Sequence, residues 1–506
     1  MDDLQAREQD YQIISPIRLL AEQVFSRTAG AALERGNSVR ILKDAEENYP
    51  AWIEAINGAG KHIHFESYII HDDDVGRTFA DLLASKAREG VRVRLIYDWL
   101  GALGKTSRGF WNRLRAAGVD VRCFNPPRLD SPLSWLTRDH RKMISVDGQI
   151  GFVTGLCIGR RWAGNPGRSI EPWRDTGVVI RGPAVADIDL AFAQVWETIG
   201  TPLPEDELAD PDTIPAEGDV ALRVVASVPN TAGLYRLDQL IAALARNSLW
   251  LTDAYFVGAT PYVQALRSAA IDGVDVRLLV PGTTDIPILR GISRAAYYPL
   301  LEAGVRVFEW NGPMIHAKTA VADGRWARVG STNLNLASWI GNYELDVAVE
   351  DENFAQAMEE MYLDDLTRST EIVLSEHGLH PVVKRPRWSL RHKKLGTGSV
   401  SRAGAGAIRI SSAVGAAIIN HRVLGPTEAR MMVAVSALLL GLALVGLLWP
   451  AFIGFPVAVF GTWLAVSLII RARRLYAGRR KAMNIVRETD QKESSADCTT
   501  QKRTGT

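Results

Sequence analysis

The pattern His-x-Lys-x4-Asp occurs once in each half of this chain: His140, Lys142 and Asp147 in "DHRKMISVDGQIGFVTGLC", and His316, Lys318 and Asp323 in "MIHAKTAVADGRWARVGSTN". From average residue usage, one chance match in a chain this long is on the order of a few per cent. Two in matching surroundings indicate an internal duplication. The surroundings do match. "REGVRVRLIYDW" alternates like a strand and is followed by the helical "NRLRAAGVDVRCFNP" and then the first motif, while "IDGVDVRLLVPG" and "LEAGVRVFEWNGP" lead to the second. Upstream of each strand lies a further pair, Glu66-Ser-Tyr68 and Asp253-Ala-Tyr255. Each half reads strand, helix, strand, helix, strand, with the motif on a late strand, so the expected fold class is α/β, as two duplicated lobes.

The expected organisation is an N-terminal helical segment at 1–37, a first lobe at 38–200, a Pro- and acid-rich linker at 201–219 and a second lobe at 220–375. A basic juxtamembrane segment at 376–430 follows, with an interfacial helix and a plain linker both open for its "GAGAIRISSAVGAAIINHRVLG". From Met431 to Ile470 the chain has no charged residue, and Pro450 stands near the middle. As one helix the run would measure roughly 60 Å, about twice the hydrocarbon thickness. Two transmembrane helices folded back at Trp449 and Pro450 fit better, and the missing polar stripe argues against a buried soluble hairpin. Arg and Lys clusters on both flanks place both ends on the cytoplasmic side of the inner membrane. Residues 471–506 read as a basic and then disordered tail.

The polar, acid-rich "MDDLQAREQDYQ" lacks the apolar core of a secretory signal. Cys123, Cys157 and Cys498 show neither a disulfide framework nor companion histidines spaced as metal ligands. With 58 Lys and Arg against 57 Asp and Glu, the chain has no global polyanion-binding balance, which argues against nucleic acid as partner.

Duplication changes how the motif residues read, because one histidine and one lysine from each lobe can share a site. One imidazole can attack phosphorus while the other protonates the departing alkoxide and later deprotonates the acceptor. Two ammonium groups stabilise the nonbridging oxygens, so neither metal nor cofactor is required. The implied chemistry is phosphodiester exchange through a phosphohistidine.

On these motifs, and on "HFESYI", "WRDTGVVIRGPAV", "MIHAKTAVADG" and "GSTNLNLASWIGNYELDVAV", the chain from about Val39 to Val349 resembles the phospholipase D superfamily and within it the bacterial cardiolipin synthases. The resemblance implies two phospholipase D-like lobes, each a β-sheet flanked by helices, related by a pseudo-twofold axis. It makes His140, Lys142, Asp147, His316, Lys318 and Asp323 the catalytic set, the two aspartates holding the motif turns. It makes Asp175 and Glu344 orienting carboxylates, expected on Nδ1 of His140 and His316 respectively. Thr154, Gly155, Ser331 and Asn333 become phosphate-binding candidates, although family members usually carry glycine and asparagine where Thr154 and Cys157 stand. His140 is favoured as nucleophile and His316 as general acid and base, with the reverse left open by the pseudosymmetry.

The expected function is a membrane-associated phosphatidyltransferase acting on phosphatidylglycerol or a similar phospholipid. The alternatives are a phospholipase D releasing phosphatidic acid, and a catalytically weakened lipid-binding scaffold motivated by Thr154 and Cys157. Oligomeric state is not legible in the sequence.

Overall fold

The computed structural model describes residues 16–127, 136–375 and 378–382, together with scattered positions between 440 and 473. By internal contacts the chain divides into two units, Met1–Pro126 with Thr137–Val423 and Pro127–Leu136 with Leu424–Thr506. Both lobes lie in the first unit. In the second, described positions such as Leu444 and Phe460 are helical with exposed side chains. Among the described residues no helix is long and apolar enough to cross a membrane. Most of the run 431–470, read above as two spans, lies outside the described residues, as does nearly all of the juxtamembrane segment and tail.

The first lobe contributes β1 (Glu34–Lys43), β2 (His62–Ser67), β3 (Arg92–Asp98), β4 (Asp120–Phe124), β5 (Lys142–Val146), β6 (Ile150–Thr154) and β7 (Thr176–Arg181). The second contributes β8 (Val220–Ser227), β9 (Ser248–Thr252), β10 (Asp275–Pro281), β11 (Arg306–Trp310), β12 (Thr319–Ala322), β13 (Trp326–Gly330) and β14 (Glu344–Glu350), with β15 (Ser369–Ser375) and β16 (Gly378–Val382) beyond. Sheet order exposes the duplication directly: β1-β7-β6-β5-β2-β3-β4 in one lobe repeats as β8-β14-β13-β12-β9-β10-β11 in the other. The two half-sheets join where β1 pairs antiparallel with β8, Glu34 opposite Leu222 and Asn37 opposite Val220. β2 runs parallel to β3 and antiparallel to β5, so the strand leading out of each motif sits mid-sheet. Both faces of β2 and β5 are buried, which is why "HIHFES" and "KMISV" lack a clean polar alternation.

One apolar core takes side chains from both lobes, among them Val178, Phe192 and Trp196 from the first and Leu345, Val347 and Phe354 from the second. Such a shared core holds the lobes as one body. The helices Val185–Thr198 and Glu352–Thr367 supply much of it, and the latter is capped by Asp351, whose carboxylate accepts from Phe354 N at 2.7 Å. Further clusters lie within each lobe, around Phe79 and Leu83 in the first and around Leu237 and Leu266 in the second. The helix Pro16–Ala29, grouped by sequence with the leading segment, packs on the second lobe: Ala29 belongs to its core, half-buried Phe25 packs against it, and Arg236 Nε donates to Thr28 O at 3.2 Å. The segment 201–219 is pinned to the first lobe, since Glu207 is buried and accepts from Arg94 at 2.6 and 3.0 Å.

Candidate active site

The motif aspartates do not reach the histidines; each closes the hairpin at the far end of its motif strand. Asp147 and Gly148 have φ of 56° and 67°, Asp323 and Gly324 of 53° and 62°, the left-handed pair that an Asp-Gly hairpin turn requires. Asp147 accepts from the backbone N–H groups of Gly60, Lys61 and His62 at 2.8, 2.8 and 2.9 Å. Asp323 repeats this with Arg246, Asn247 and Ser248 at 2.9, 2.7 and 2.9 Å. Their place in the catalytic set is therefore corrected to the turn-holding task alone: β5, of five residues, and β12, of four, at about 3.3 Å per residue, separate them from the chemistry. Asp147→Ala and Asp323→Ala should each remove three hydrogen bonds, two of them to exposed N–H groups, and lower stability by about 1–2 kcal/mol. Denaturant unfolding checks the loss, and turnover by the folded fraction should change less than about tenfold.

At the other end of each strand the lobes exchange backbone bonds. His140 N donates to Tyr343 O at 2.9 Å and Tyr343 N to Arg138 O at 2.8 Å; His316 N donates to Arg174 O at 2.7 Å and Arg174 N to Met314 O at 3.0 Å. These parallel bridges, Asp139 with Tyr343 and Arg174 with Ile315, lay each motif histidine beside the residue that follows its bridging partner. The carboxylate pairing is consequently crossed relative to the expectation. Glu344 Oε2 lies 2.9 Å from His140 Nδ1, and Asp175 Oδ2 lies 2.7 Å from His316 Nδ1. Each histidine takes its carboxylate from the opposite lobe. Both carboxylates stay ionised: burial would raise them, but His316 and Lys318 hold Asp175 low, and His140, Lys142 and Ser331 hold Glu344 low. An ionised carboxylate only accepts, so Nδ1 carries the proton on both rings and the Nε2 lone pairs are left.

Burial pushes the His140 imidazole below its ordinary value, with Glu344 opposing and Lys142 and Lys318 reinforcing. His316 is pushed down to about 4, by burial first and then Lys318, against Asp175. Burial lowers Lys318 to about 8, with Lys142 adding to it and Asp175 and Asp253 opposing. The four basic groups thus share one low-dielectric region. They are not equivalent: Lys318 Nζ lies 2.9 Å from Nδ1 and 3.2 Å from Nε2 of His316 and bonds its carbonyl, whereas Lys142 Nζ bonds the His140 carbonyl. Lys318 Nζ thus stands against both nitrogens of the His316 ring, nearer Nδ1 than Nε2.

The phosphate-binding candidates divide. Ser331 Oγ donates to Glu344 Oε2 at 2.6 Å, and Gly155 is the place where a Cβ would strike the Asp175 carboxylate. These two hold or admit the orienting carboxylates. Thr154 Oγ1 accepts from Leu156 N at 3.0 Å and is spent on its own loop. Asn333 is buried, and its Oδ1 has no partner among the described residues, so it alone keeps an amide oxygen uncommitted. Cys157 is buried, with its thiol raised chiefly by burial and its carbonyl accepting from Tyr49 OH at 2.7 Å.

Several site residues carry no functional role in the sequence reading. Tyr68 packs edge-on to His140 with centroids 4.9 Å apart, and Tyr255 edge-on to His316 at 5.8 Å, at duplicated positions whose recurrence was the available signal. Trp162 and Trp173 each lie 5.7 Å from the His316 ring, and Trp162 Nε1 donates to Asp175 Oδ2 at 3.2 Å. Arg141, fully buried inside the first motif, donates to Glu344 O and Ser227 O, both at 3.1 Å, and so stitches the first lobe to the second. Arg174 does the same toward Asp365 at 2.8 and 2.9 Å.

A family model described as cardiolipin synthase, PLD-like domain, matches residues 52–196 and 239–366. A cardiolipin synthase of Alkalihalophilus pseudofirmus is 34% identical over 343 residues, 67% of this chain and 68% of that protein. A cardiolipin synthase of a Geobacillus species is 33% identical over 361 residues, 71% of each chain. Cardiolipin synthase A of Pseudomonas fluorescens is 35% identical over 350 residues, 67% of this chain and 71% of that one. Among solved structures, the phosphatidylserine synthase of Haemophilus influenzae shares the fold, with a TM-score of 0.53 and 14% identity, over 69% of this chain and 91% of that one.

Proposed function

Because the chain belongs to the cardiolipin synthase family of phospholipase D-like domains, we propose that it is a phospholipid phosphatidyltransferase that works through a phosphohistidine. The observation that carries this reading is the crossed pairing, a carboxylate from each lobe on Nδ1 of the other lobe's histidine at 2.9 and 2.7 Å. That arrangement turns both Nε2 atoms to chemistry and requires both lobes for each half of it.

In this reading His140 Nε2 attacks the phosphodiester, with Lys142 Nζ held on the His140 carbonyl. His316 protonates the leaving alkoxide, and its proton is exchangeable with Lys318 at 3.2 Å. The phosphodiester anion itself prepares that proton. A negative charge beside Lys142 and Lys318 offsets their repulsion and lifts His316 from its depressed value toward neutrality. The two ammonium groups then stabilise the equatorial oxygens. In the second half-reaction His316 takes the proton of the acceptor hydroxyl, and the phosphatidyl group leaves His140. The donor and acceptor in this proposal are phospholipids of the phosphatidylglycerol kind. The apolar run 431–470 and its basic flanks would hold the lobes at the cytoplasmic face of the membrane.

The test is a mass-spectrometric product assay on purified protein in detergent micelles, with phosphatidylglycerol, phosphatidylethanolamine and phosphatidylcholine offered together. Cardiolipin with release of a free headgroup alcohol is the expected result. Phosphatidic acid without cardiolipin would replace transfer by hydrolysis, and no turnover of any lipid would leave a scaffold.

A further inference from the structure

Behind the first motif turn lies a second histidine cluster that phosphoryl transfer does not use. His62 and His64 are two apart on β2, so their side chains share one face of the sheet. That face is covered by the helix Val185–Thr198, which brings in Asp189 from far along the chain. His62, His64 and Asp189 are 4%, 0% and 0% exposed, and one donor atom from each lies within 4.8 Å of the others. The imidazoles stack with centroids 4.7 Å apart, and Phe192 covers the far side of His64 at 4.7 Å, fixing its ring in place.

The hydrogen-bonding of this cluster is incomplete. Both ring nitrogens of His62 and Oδ2 of Asp189 are buried without a hydrogen-bond partner among the described residues. Each such group costs about 1–3 kcal/mol if nothing satisfies it. Three donor groups within 4.8 Å of one another, two imidazoles and one carboxylate, are of the ligand types that zinc takes. On the other side of His64, Glu207 Oε2 stands 3.5 Å from Nε2 and is itself held by Arg94. A carboxylate there favours the proton on Nε2 and leaves Nδ1 to a metal, the usual outer support of a metal-binding histidine.

We propose that His62, His64 and Asp189 form a structural site for a zinc-class divalent cation, which pins the helix Val185–Thr198 to β2. The cation takes the place of the proton between His64 Nδ1 and Asp189 Oδ1, and that proton leaves to solvent. Their 2.7 Å separation opens by about half an ångström to accommodate metal–ligand bonds of about 2.0–2.2 Å. The ligands come from a strand and a helix that meet only in the fold. The site lies beside the Asp147 turn, since Asp147 N donates to His62 O at 3.0 Å, and so at the end of β5 away from His140.

Tag-free full-length protein in detergent is stripped with a chelator, titrated with zinc chloride, freed of excess metal and assayed for metal by mass spectrometry. One zinc per chain is expected in the wild type and in the His140→Ala, His316→Ala double variant, with a rise in melting temperature. Loss of that zinc is expected in His62→Gln and in Asp189→Asn, each checked for folding by circular dichroism. Cobalt in place of zinc should give a visible absorption band that either substitution removes. Folded wild-type protein that retains no zinc would overturn the proposal. So would zinc held equally by His62→Gln and Asp189→Asn but lost from the double variant. Neither result bears on lipid transfer, which the product assay decides separately.

Discussion

Replacing either His140 or His316 with alanine should abolish phosphatidyl transfer, with a loss of about 10⁴-fold or more, and the double variant should be no worse than either single one. The reason is that the two imidazoles serve one cycle. Without His140 no covalent intermediate forms, and without His316 the alkoxide leaves unprotonated and the acceptor hydroxyl is not activated. Both rings lie in the body of the fold, at 9% and 5% exposure, yet each change removes a side chain whose backbone bridge to the opposite lobe persists. The variants should therefore stay folded. Cardiolipin formation by purified variants, followed beside circular dichroism, is the measurement, and substantial turnover by either variant would remove the shared-cycle account.

The crossed carboxylates give the second large effect. Glu344→Gln and Asp175→Asn keep shape but remove the charge that fixes the Nδ1 proton and stabilises the imidazolium, and each should cost about 10²–10⁴-fold. Crossing makes the prediction directional. Glu344→Gln, a change in the second lobe, should disturb the first-lobe histidine and slow formation of the covalent intermediate. Asp175→Asn should disturb His316 and slow both leaving-group departure and breakdown of the intermediate. Nitrogen-15 spectra of histidine-labelled protein separate the two: the His140 ring resonances should move in Glu344→Gln and those of His316 in Asp175→Asn. Movement within the same lobe instead would contradict the pairing described here.

The duplication was legible because the motif, the strand before it and the Tyr68 and Tyr255 positions all recur, and the sheet order repeats with them. Spacing could not assign carboxylates to histidines. That pairing depends on the bridges of Asp139 to Tyr343 and Arg174 to Ile315, which exist only once the lobes meet. The resemblance carries each carboxylate over within its own repeat, and so it sets Asp175 on His140 and Glu344 on His316. Asp147 and Asp323 share a motif with the histidines they follow, but a strand carries them to its other end, where the Asp-Gly turn accounts for them. Ser331 and Gly155 matter through the carboxylate beside them, a contact no linear motif contains. The first helix joins the second lobe because its apolar Phe25 and Ala29 find their partners there.

The most direct measurement is rapid acid-free quenching of the protein with excess phosphatidylglycerol, followed by proteolysis and mass spectrometry of the peptides that carry His140 and His316. A phosphatidyl adduct on His140, present during turnover and absent from His140→Ala, is the predicted result. An adduct confined to His316 would reverse the assignment of nucleophile and acid, and turnover to cardiolipin with no adduct on either histidine would contradict the phosphohistidine account itself.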